Sequence, residues 1–383
     1  MEELSQPLMR FQRQSQWGLL LGGSVVLAML LRLAGLPAAM LLGPMFAAIL
    51  LKTQGGTIQV SRHAYSAAQA IIGCLVARSM TPSILTLVGE RWPIFLAVTM
   101  ATVLTSSLLG WLLSRLGVLP GTTAVWGLSP GAASNMVVMA ESYGADSRLV
   151  AFMQYLRVLI VAVTVSLLSR FWVEASGRVA SETSWFPPIH WLPFVATLAI
   201  AIGGAILGQL SRIPAGLLLG PMIIGSALQA SGLVAIELPP CLLAASYTVL
   251  GWVIGLKFTR QIIIHATRAL PQVTLSILAM IAFCGGLAVI LVKMLGVDPL
   301  TAYLATSPGG MDSIVVIAAS SKVDLSFVMA LQLMRVVILL LIGPSISRLV
   351  ARRLEGRENL DQDRGGSRGE VSASVNGSER INA

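Results

Sequence analysis

The sequence predicts an all-α integral membrane protein of ten to twelve transmembrane helices in two homologous repeats, with helices broken at Ser-Pro-Gly elements. Three observations carry the prediction: scarce charge, apolar runs of spanning length, and an internal duplication. Of 383 residues, 55% are hydrophobic and 11% charged, where a soluble domain carries about 25% charged residues. Mean hydropathy is +0.81. The 36 glycines and 18 prolines agree with this class, because both residues are commoner in transmembrane helices than in soluble ones. A soluble globular protein is excluded. The net charge of +9 reads as basic loops that set membrane orientation, with no need of a nucleic-acid partner.

A spanning helix needs about 20 mostly apolar residues. Candidate runs lie at 18–35, 37–52, 64–80, 92–116, 121–141, 149–173, 191–210, 214–232, 241–258, 271–296, 299–319 and 325–350. Several are short or interrupted, notably 37–52 and the two that contain Ser-Pro-Gly. The first run starts at Trp17 behind Arg10 and Arg13, in the manner of a signal peptide. Cleavage near Ala38 or Ala39 would destroy a motif that recurs later, so the run is read as a retained helix.

The duplication changes how the rest is read. Residues 37–45, Pro-Ala-Ala-Met-Leu-Leu-Gly-Pro-Met, return at 214–222 as Pro-Ala-Gly-Leu-Leu-Leu-Gly-Pro-Met, seven of nine identical at an offset of 177. A second block, Ser129 to Val158, aligns with Ser307 to Val336 at an offset of 178, with twelve matches in 30. The matches include Ser129/Ser307, Pro130/Pro308, Gly131/Gly309, Asp146/Asp324, Gln154/Gln332 and Arg157/Arg335. Apolar composition does not produce them, since Pro, Asp, Gln and Arg are rare in such segments. The organisation that follows is a cytoplasmic N-terminal segment (1–16), repeat 1 (17–173), a polar Pro-containing linker (174–190), repeat 2 (191–350) and a tail (351–383). The tail is poor in large apolar residues and reads as disordered. Its six arginines match six acidic residues, so the whole excess of positive charge lies in 1–350.

In each Ser-Pro-Gly element the proline removes a backbone donor and clashes with the preceding turn, while the glycine permits dihedrals that other residues avoid. Each element should break its helix within the membrane. Broken backbone at that depth is tolerated only where protein or a water-filled cavity satisfies the freed groups, and matched breaks in two halves mark the substrate site of many transporters. The candidate substrate or ion ligands are Ser129, Pro130, Gly131, Ser134 and Asn135 in the first copy. In the second they are Ser307, Pro308, Gly309, Asp312 and Ser313. Thr123, Thr301, Gln154, Arg157, Gln332 and Arg335 are supporting residues. Asp312 stands apart because an ionised carboxylate in a span is costly and faces a cavity or partner, and the first copy has Ser134 in its place. A packing kink is the alternative for each Pro-Gly pair. Gln154/Arg157 and Gln332/Arg335 each share one helical face; a mid-helix arginine needs a partner, and Glu141, Asp146, Asp312 or the carboxyl end of a broken helix can serve. The Leu-Gly-Pro-Met elements read as close-packing or hinge points, and Asp146 and Asp324 as N-caps.

Enzymatic chemistry finds little support. His63, His190 and His265 have no metal-ligand spacing, and Cys74, Cys241 and Cys284 sit in apolar runs as packing residues. No nucleophile elbow, P-loop or dinucleotide fingerprint occurs. The segments outside the membrane are too short for a helix-turn-helix, so direct nucleic-acid binding is not expected.

The paired T-A-x-x-x-x-S-P-G elements (Thr123 to Gly131, Thr301 to Gly309), followed by a polar cluster and Q-x-x-R, resemble the bacterial AbrB-duplication membrane family. That family is unrelated to the small swapped-hairpin transcription factor of the same name. The resemblance covers roughly 18–350 and includes both Gly-Pro-Met elements in order. Members carry the labels AbrB family transcriptional regulator and ammonia monooxygenase, neither of which the residues support mechanistically. The break pattern is also similar to that of the cation/proton antiporter and bile-acid-symporter folds, whose crossing broken helices form the transport site. The paired acidic residues of some antiporters in that group are missing here.

The expectation is a multi-pass protein of the bacterial inner (plasma) membrane, not an enzyme and without a cofactor. Its function is secondary transport of a small solute or metabolite, in contact with lipid and an unidentified small molecule or ion. Homo-oligomer formation stays open. The alternative is a membrane-embedded sensor or regulator that acts indirectly on gene expression. Repeat orientation also stays open. Arg10, Arg13, Arg170, Arg178, Arg348, Arg352 and Arg353 share the cytoplasmic side if there are twelve spans, but Lys257, Arg260 and Arg268 then fall on the other side.

Overall fold

The computed structural model describes residues 13–339 and 342, apart from 37, 81, 117–118, 120–122, 130–135, 138–139, 142–143, 176–189, 212–214, 268 and 322. The residues expected to form the N-terminal segment up to 12, most of the linker and the tail therefore lie outside the described residues. Every longer regular element among the described residues is a helix, and none is a strand. In chain order they are α1 (Arg13–Leu33), α2 (Ala39–Thr53), α3 (Arg62–Ser79), α4 (Pro82–Glu90), α5 (Trp92–Arg115), α6 (Thr123–Leu128) and α7 (Ser147–Ala175). They continue as α8 (Trp191–Leu210), α9 (Gly216–Ala230), α10 (Pro240–Gly255), α11 (Arg260–Ala266), α12 (Leu270–Leu295), α13 (Pro299–Thr306), α14 (Met311–Ser320) and α15 (Leu325–Leu339).

Five of these, α1, α5, α7, α8 and α12, are long and apolar enough to cross a membrane, and α2, α9, α10 and α15 are shorter apolar helices. The long helices leave bulky apolar side chains on the outside of the molecule, including Val25 and Met29 on α1, Leu104 and Leu108 on α5, Ile202 on α8 and Leu275 on α12. Such a belt would be an aggregation surface in water. In lipid it is the expected outer face of a helical bundle. The short helices α4 and α11 were not foreseen; α11 starts where Thr259 Oγ1 accepts from Ile262 N at 3.3 Å. The apolar run 299–319 divides into α13 and α14, with Ser307–Gly310 non-helical between them.

Helix starts follow local chemistry. Asp146 Oδ1 accepts from the backbone N–H of Arg148 (2.9 Å) and Leu149 (3.2 Å) at the head of α7. Asp324 Oδ1 accepts from Phe327 N at 3.0 Å at the head of α15. Asp298 Oδ2 does the same for Leu300 and Thr301 on α13, at 3.1 Å each. Replacing Asp146 or Asp324 by alanine is expected to cost ~0.5–2 kcal/mol, read as a lower unfolding midpoint in detergent; serine at either position should recover most of it.

Packing is reciprocal. α1 lies on α2 and α8 on α9, while α3 lies on α9 and α10 on α2, so the third helix of each series packs on the second helix of the other. The Leu-Gly-Pro-Met elements are the surfaces on which this exchange occurs. A Cβ added to Gly251 of α10 would sit 2.5 Å from the Leu41 carbonyl oxygen and 3.2 Å from Pro44 Cβ of α2. One added to Gly73 of α3 would run into the Leu218 carbonyl oxygen of α9, 3.2 Å from Pro221 Cβ. Gly73 and Gly251 stand 178 apart, and Pro44 and Pro221 are the prolines inside α2 and α9. Backbone thus approaches backbone at equivalent places, as small residues allow between membrane helices. One large apolar core runs from Leu41 and Ile72 through Val161 and Leu218 to Phe327.

Candidate functional site

The short helices α6 and α13 each end at a serine of a Ser-Pro-Gly element, and a helix that stops inside an apolar body leaves its last carbonyls without intrahelical partners. Both sets are satisfied by side chains from the helix about 25–29 residues further along. At the first break, Gln154 Nε2 on α7 donates to the carbonyls of Trp126 (2.8 Å) and Ser129 (2.9 Å). Arg157 Nη1 donates to Leu128 O (3.1 Å) and Ser129 O (2.7 Å), and its Nη2 donates to Gln154 Oε1 at 2.8 Å. At the second, Gln332 Nε2 on α15 donates to Leu304 O (3.0 Å), Ala305 O (3.3 Å) and Ser307 O (3.2 Å). Arg335 donates from Nη1 to Ser307 O (2.6 Å), and from Nη2 to Gly309 O (3.1 Å) and Gln332 Oε1.

The three-residue spacing explains the geometry. Gln and Arg at i and i+3 lie on one face, and the arginine, by donating to the amide oxygen, turns the amide nitrogen toward the carbonyls. All four side chains are buried: Gln154, Arg157 and Gln332 are 0% exposed and Arg335 is 3% exposed. Of the partners the sequence left open for these arginines, the carboxyl ends of the broken helices are the ones that bond them. Among the described residues neither guanidinium has a carboxylate partner.

The threonines are used elsewhere. Thr123 Oγ1 accepts from Asp146 N, and Thr301 Oγ1 from Asp324 N, each at 3.2 Å. Each ties the start of a broken half-helix to the loop that caps the next helix, and the shared spacing of 23 residues was a sequence signal for it. Ser313 Oγ donates to Gly310 O at 2.9 Å, within its own turn. Pro130, Gly131, Ser134 and Asn135 lie outside the described residues. For Asp312 only the backbone is described, and it is the second residue of α14.

The second break lies against the helix that caps the first. Added Cβ atoms would place Gly309 3.0 Å from Val161 Cγ1 and Gly310 3.2 Å from Val158 Cγ2, so the second break rests on α7 beside and one turn beyond Arg157. The charge of Arg335 acts on Arg157. Cys284 of α12, read from sequence as packing only, lies within electrostatic reach of both guanidiniums, and its carbonyl accepts from Thr306 Oγ1 at 3.0 Å. No sequence signal marked Cys284, since Ser106 holds the matching place in the first half.

The halves also differ. Ser129 Oγ donates to Val125 O at 2.7 Å, whereas Ser307 Oγ is fully buried and has no hydrogen-bond partner. Nε of Arg157 and of Arg335 is likewise unpartnered. Among the described residues two cavities lie away from this centre: about 940 Å³ between α1, α2 and α10, beside Ser24, Pro44 and Trp252, and about 740 Å³ between α3, α8 and α9. Both open through the outward apolar faces of α1 and α8, which suits lipid or detergent chains better than a polar solute.

The model of the family described as "AbrB: Transition state regulatory protein AbrB" matches residues 40–351. The chain is 47% identical over 337 residues to "Putative regulator AbrB" of Escherichia coli (strain K12), across 88% of this chain and 97% of that protein. It is 26% identical over 308 residues to "Uncharacterized protein YhjN" of Bacillus subtilis (strain 168), across 76% and 79% of the two chains. With the family matched over most of its length, and a near full-length relative at that identity, this chain belongs to the AbrB family.

Proposed function

We propose that the chain is a multi-pass protein of the bacterial plasma membrane, with ten to twelve passes in two homologous repeats, that works as a secondary transporter of a small solute. The solute site in this reading is the junction of the two Ser-Pro-Gly breaks: Ser129–Gly131, Ser134 and Asn135 from the first, Ser307–Gly309, Asp312 and Ser313 from the second. The observation that carries it is the paired arrangement in which Gln154/Arg157 and Gln332/Arg335 hold the carbonyl ends of two interrupted helices at one buried centre. Broken helices whose ends converge between two halves are the form that transporter sites take in membranes. The reading requires no cofactor, no catalytic step and no direct nucleic-acid contact.

The second reading is a membrane-embedded regulator that binds a ligand without moving it, and the name of the Escherichia coli relative favours it. Flux separates the two. Purified protein in proteoliposomes is tested on solid-supported membranes with a panel of acetate, succinate, phosphate, glutamate, glucose, glycine and ammonium. Wild type should carry at least one of these above the level of empty liposomes. Asp312→Asn should lower that flux about tenfold or more, the size expected when a contact to a charged group of ~1.5–3 kcal/mol is lost. Equal flux in both proteins removes Asp312 from the mechanism, and a bound solute without flux supports the regulator.

A further inference from the structure

Two guanidiniums are buried in an apolar body, one on α7 and one holding the break that rests against α7, and their bonds are incomplete in a matching way. Each guanidinium has five N–H donors. Arg157 directs three bonds to Leu128, Ser129 and Gln154, and Arg335 three to Ser307, Gly309 and Gln332. Both leave Nε without a partner. Backbone carbonyls satisfy donors but carry only partial charge, so the formal positive charge of each arginine remains. Buried charge without a counter-charge is costly, and in membrane interiors such residues mark substrate or ion pathways.

One further feature adds to the same sign, a second supplies a free donor, and the balance of charge stays positive. α14 begins at Gly310 with no side-chain cap on its first amides, so the positive end of its dipole is directed toward the break that Arg335 holds through Gly309 O. Ser307 Oγ, on a residue whose own carbonyl Arg335 holds, is a buried hydroxyl with nothing to bond. Asp312 in the first turn of α14 supplies at most one negative charge, which still leaves two guanidiniums to one carboxylate. A centre built to take a cation would be expected to show the opposite balance.

We propose that this centre binds a small oxyanion, the shared chemistry of carboxylates and of phosphate or sulfate, through the free N–H groups of Arg157 and Arg335 and the hydroxyl of Ser307. The proposal names the solute class for the site described above and rests on that site being where solute binds. It does not depend on the solute being moved. An oxyanion supplies the missing negative charge and accepts several charge-assisted hydrogen bonds at once, which neither a neutral solute nor a cation can do. It also gives the two like charges a reason to be held together.

The test uses the full chain in detergent, with thermal unfolding followed by intrinsic fluorescence. Sodium acetate, succinate, phosphate and sulfate are titrated against sodium chloride at matched ionic strength, with glucose and ammonium chloride as neutral and cationic probes. The expected result is a saturable rise in the unfolding midpoint with at least one of the four oxyanions, because a ligand that binds only the folded state stabilises it by mass action. Ser307→Ala is the informative variant. Its hydroxyl makes no bond within the protein, so the ligand-free midpoint should be unchanged or higher, while the apparent affinity for that oxyanion falls about tenfold, the loss that ~1.4 kcal/mol represents.

A shift no larger than that of sodium chloride with all four oxyanions overturns the proposal. So does equal oxyanion affinity in wild type and Ser307→Ala. A shift confined to glucose or ammonium overturns the oxyanion class yet leaves the transporter reading to the flux measurement. Conversely, oxyanion binding without flux supports the proposal and defeats transport.

Discussion

Replacing Arg335 by methionine is expected to abolish folding of the second half or lower its stability by several kcal/mol. The side chain donates to Ser307 O, Gly309 O and Gln332 Oε1, at a place that water does not reach. Methionine matches the length but removes those bonds and leaves Gly309 O and Gln332 Oε1 without them, at ~1–3 kcal/mol for each stranded group. Relief of the buried charge returns part of this. Gln332 is the second casualty, because its amide is oriented by the arginine. Arg157→Met should behave alike, since Leu128 O, Ser129 O and Gln154 Oε1 take the same bonds. The measurement is the midpoint of thermal unfolding in detergent and the yield of monodisperse protein. Arg335→Lys is the control that separates charge from geometry: it keeps the charge but cannot span two carbonyls with a planar fork, and should recover only part of the loss. A wild-type midpoint for Arg335→Met would mean that the break is held by something else.

Valine at Gly73 is expected to be as damaging, through a different cause. The first added carbon meets the Leu218 carbonyl oxygen of α9, and backbone cannot rotate aside as a side chain can. α3 must therefore lift from α9, and overpacking of this kind costs ~1–3 kcal/mol or more. Gly251→Val should do the same at the Leu41 carbonyl of α2. The contrast is Gly203→Val on α8, where an added Cβ meets nothing within 4 Å; it should leave the unfolding midpoint near wild type. If Gly73→Val and Gly203→Val unfold together, the exchange of helices between the halves does not stabilise the protein.

Much of this molecule was legible in the chain. Low charge and long apolar runs imply helices, because an apolar environment obliges the backbone to satisfy its own hydrogen bonds, and the described residues contain no strand. Proline followed by glycine placed the interruption at Ser307–Gly310, since proline cannot donate and the residue before it avoids the helical region. The recurrence of Gln and Arg three residues apart marked the side chains that now bond both broken ends. Local rules reached this far because each concerns residues within a turn or two of one another.

Other features had no local signature. Glycine at 73 or 251 looks like any other glycine in an apolar helix, and only the approach of α9 or α2 shows what its missing side chain admits. Thr123 and Thr301 read as supporting residues of a solute site, and the way they support it, by accepting from the backbone of Asp146 and Asp324, spans a 23-residue separation that helical periodicity does not address. Ser129 and Ser307 are identical in the repeat alignment, but one hydroxyl is bonded and the other is not.

By itself, then, the sequence determined the helical content, the apolar runs long enough to cross a membrane and the break at Ser307–Gly310, all of which follow from composition and short-range sterics. The tertiary structure decided which carbonyls the arginines hold, that the second break rests against the helix carrying Arg157, and which serine keeps a free hydroxyl. Those outcomes depend on how helices from the two halves cross. Crossing is set by backbone contacts at single small residues far apart in the chain, where a one-atom difference in side-chain volume decides whether two helices can meet.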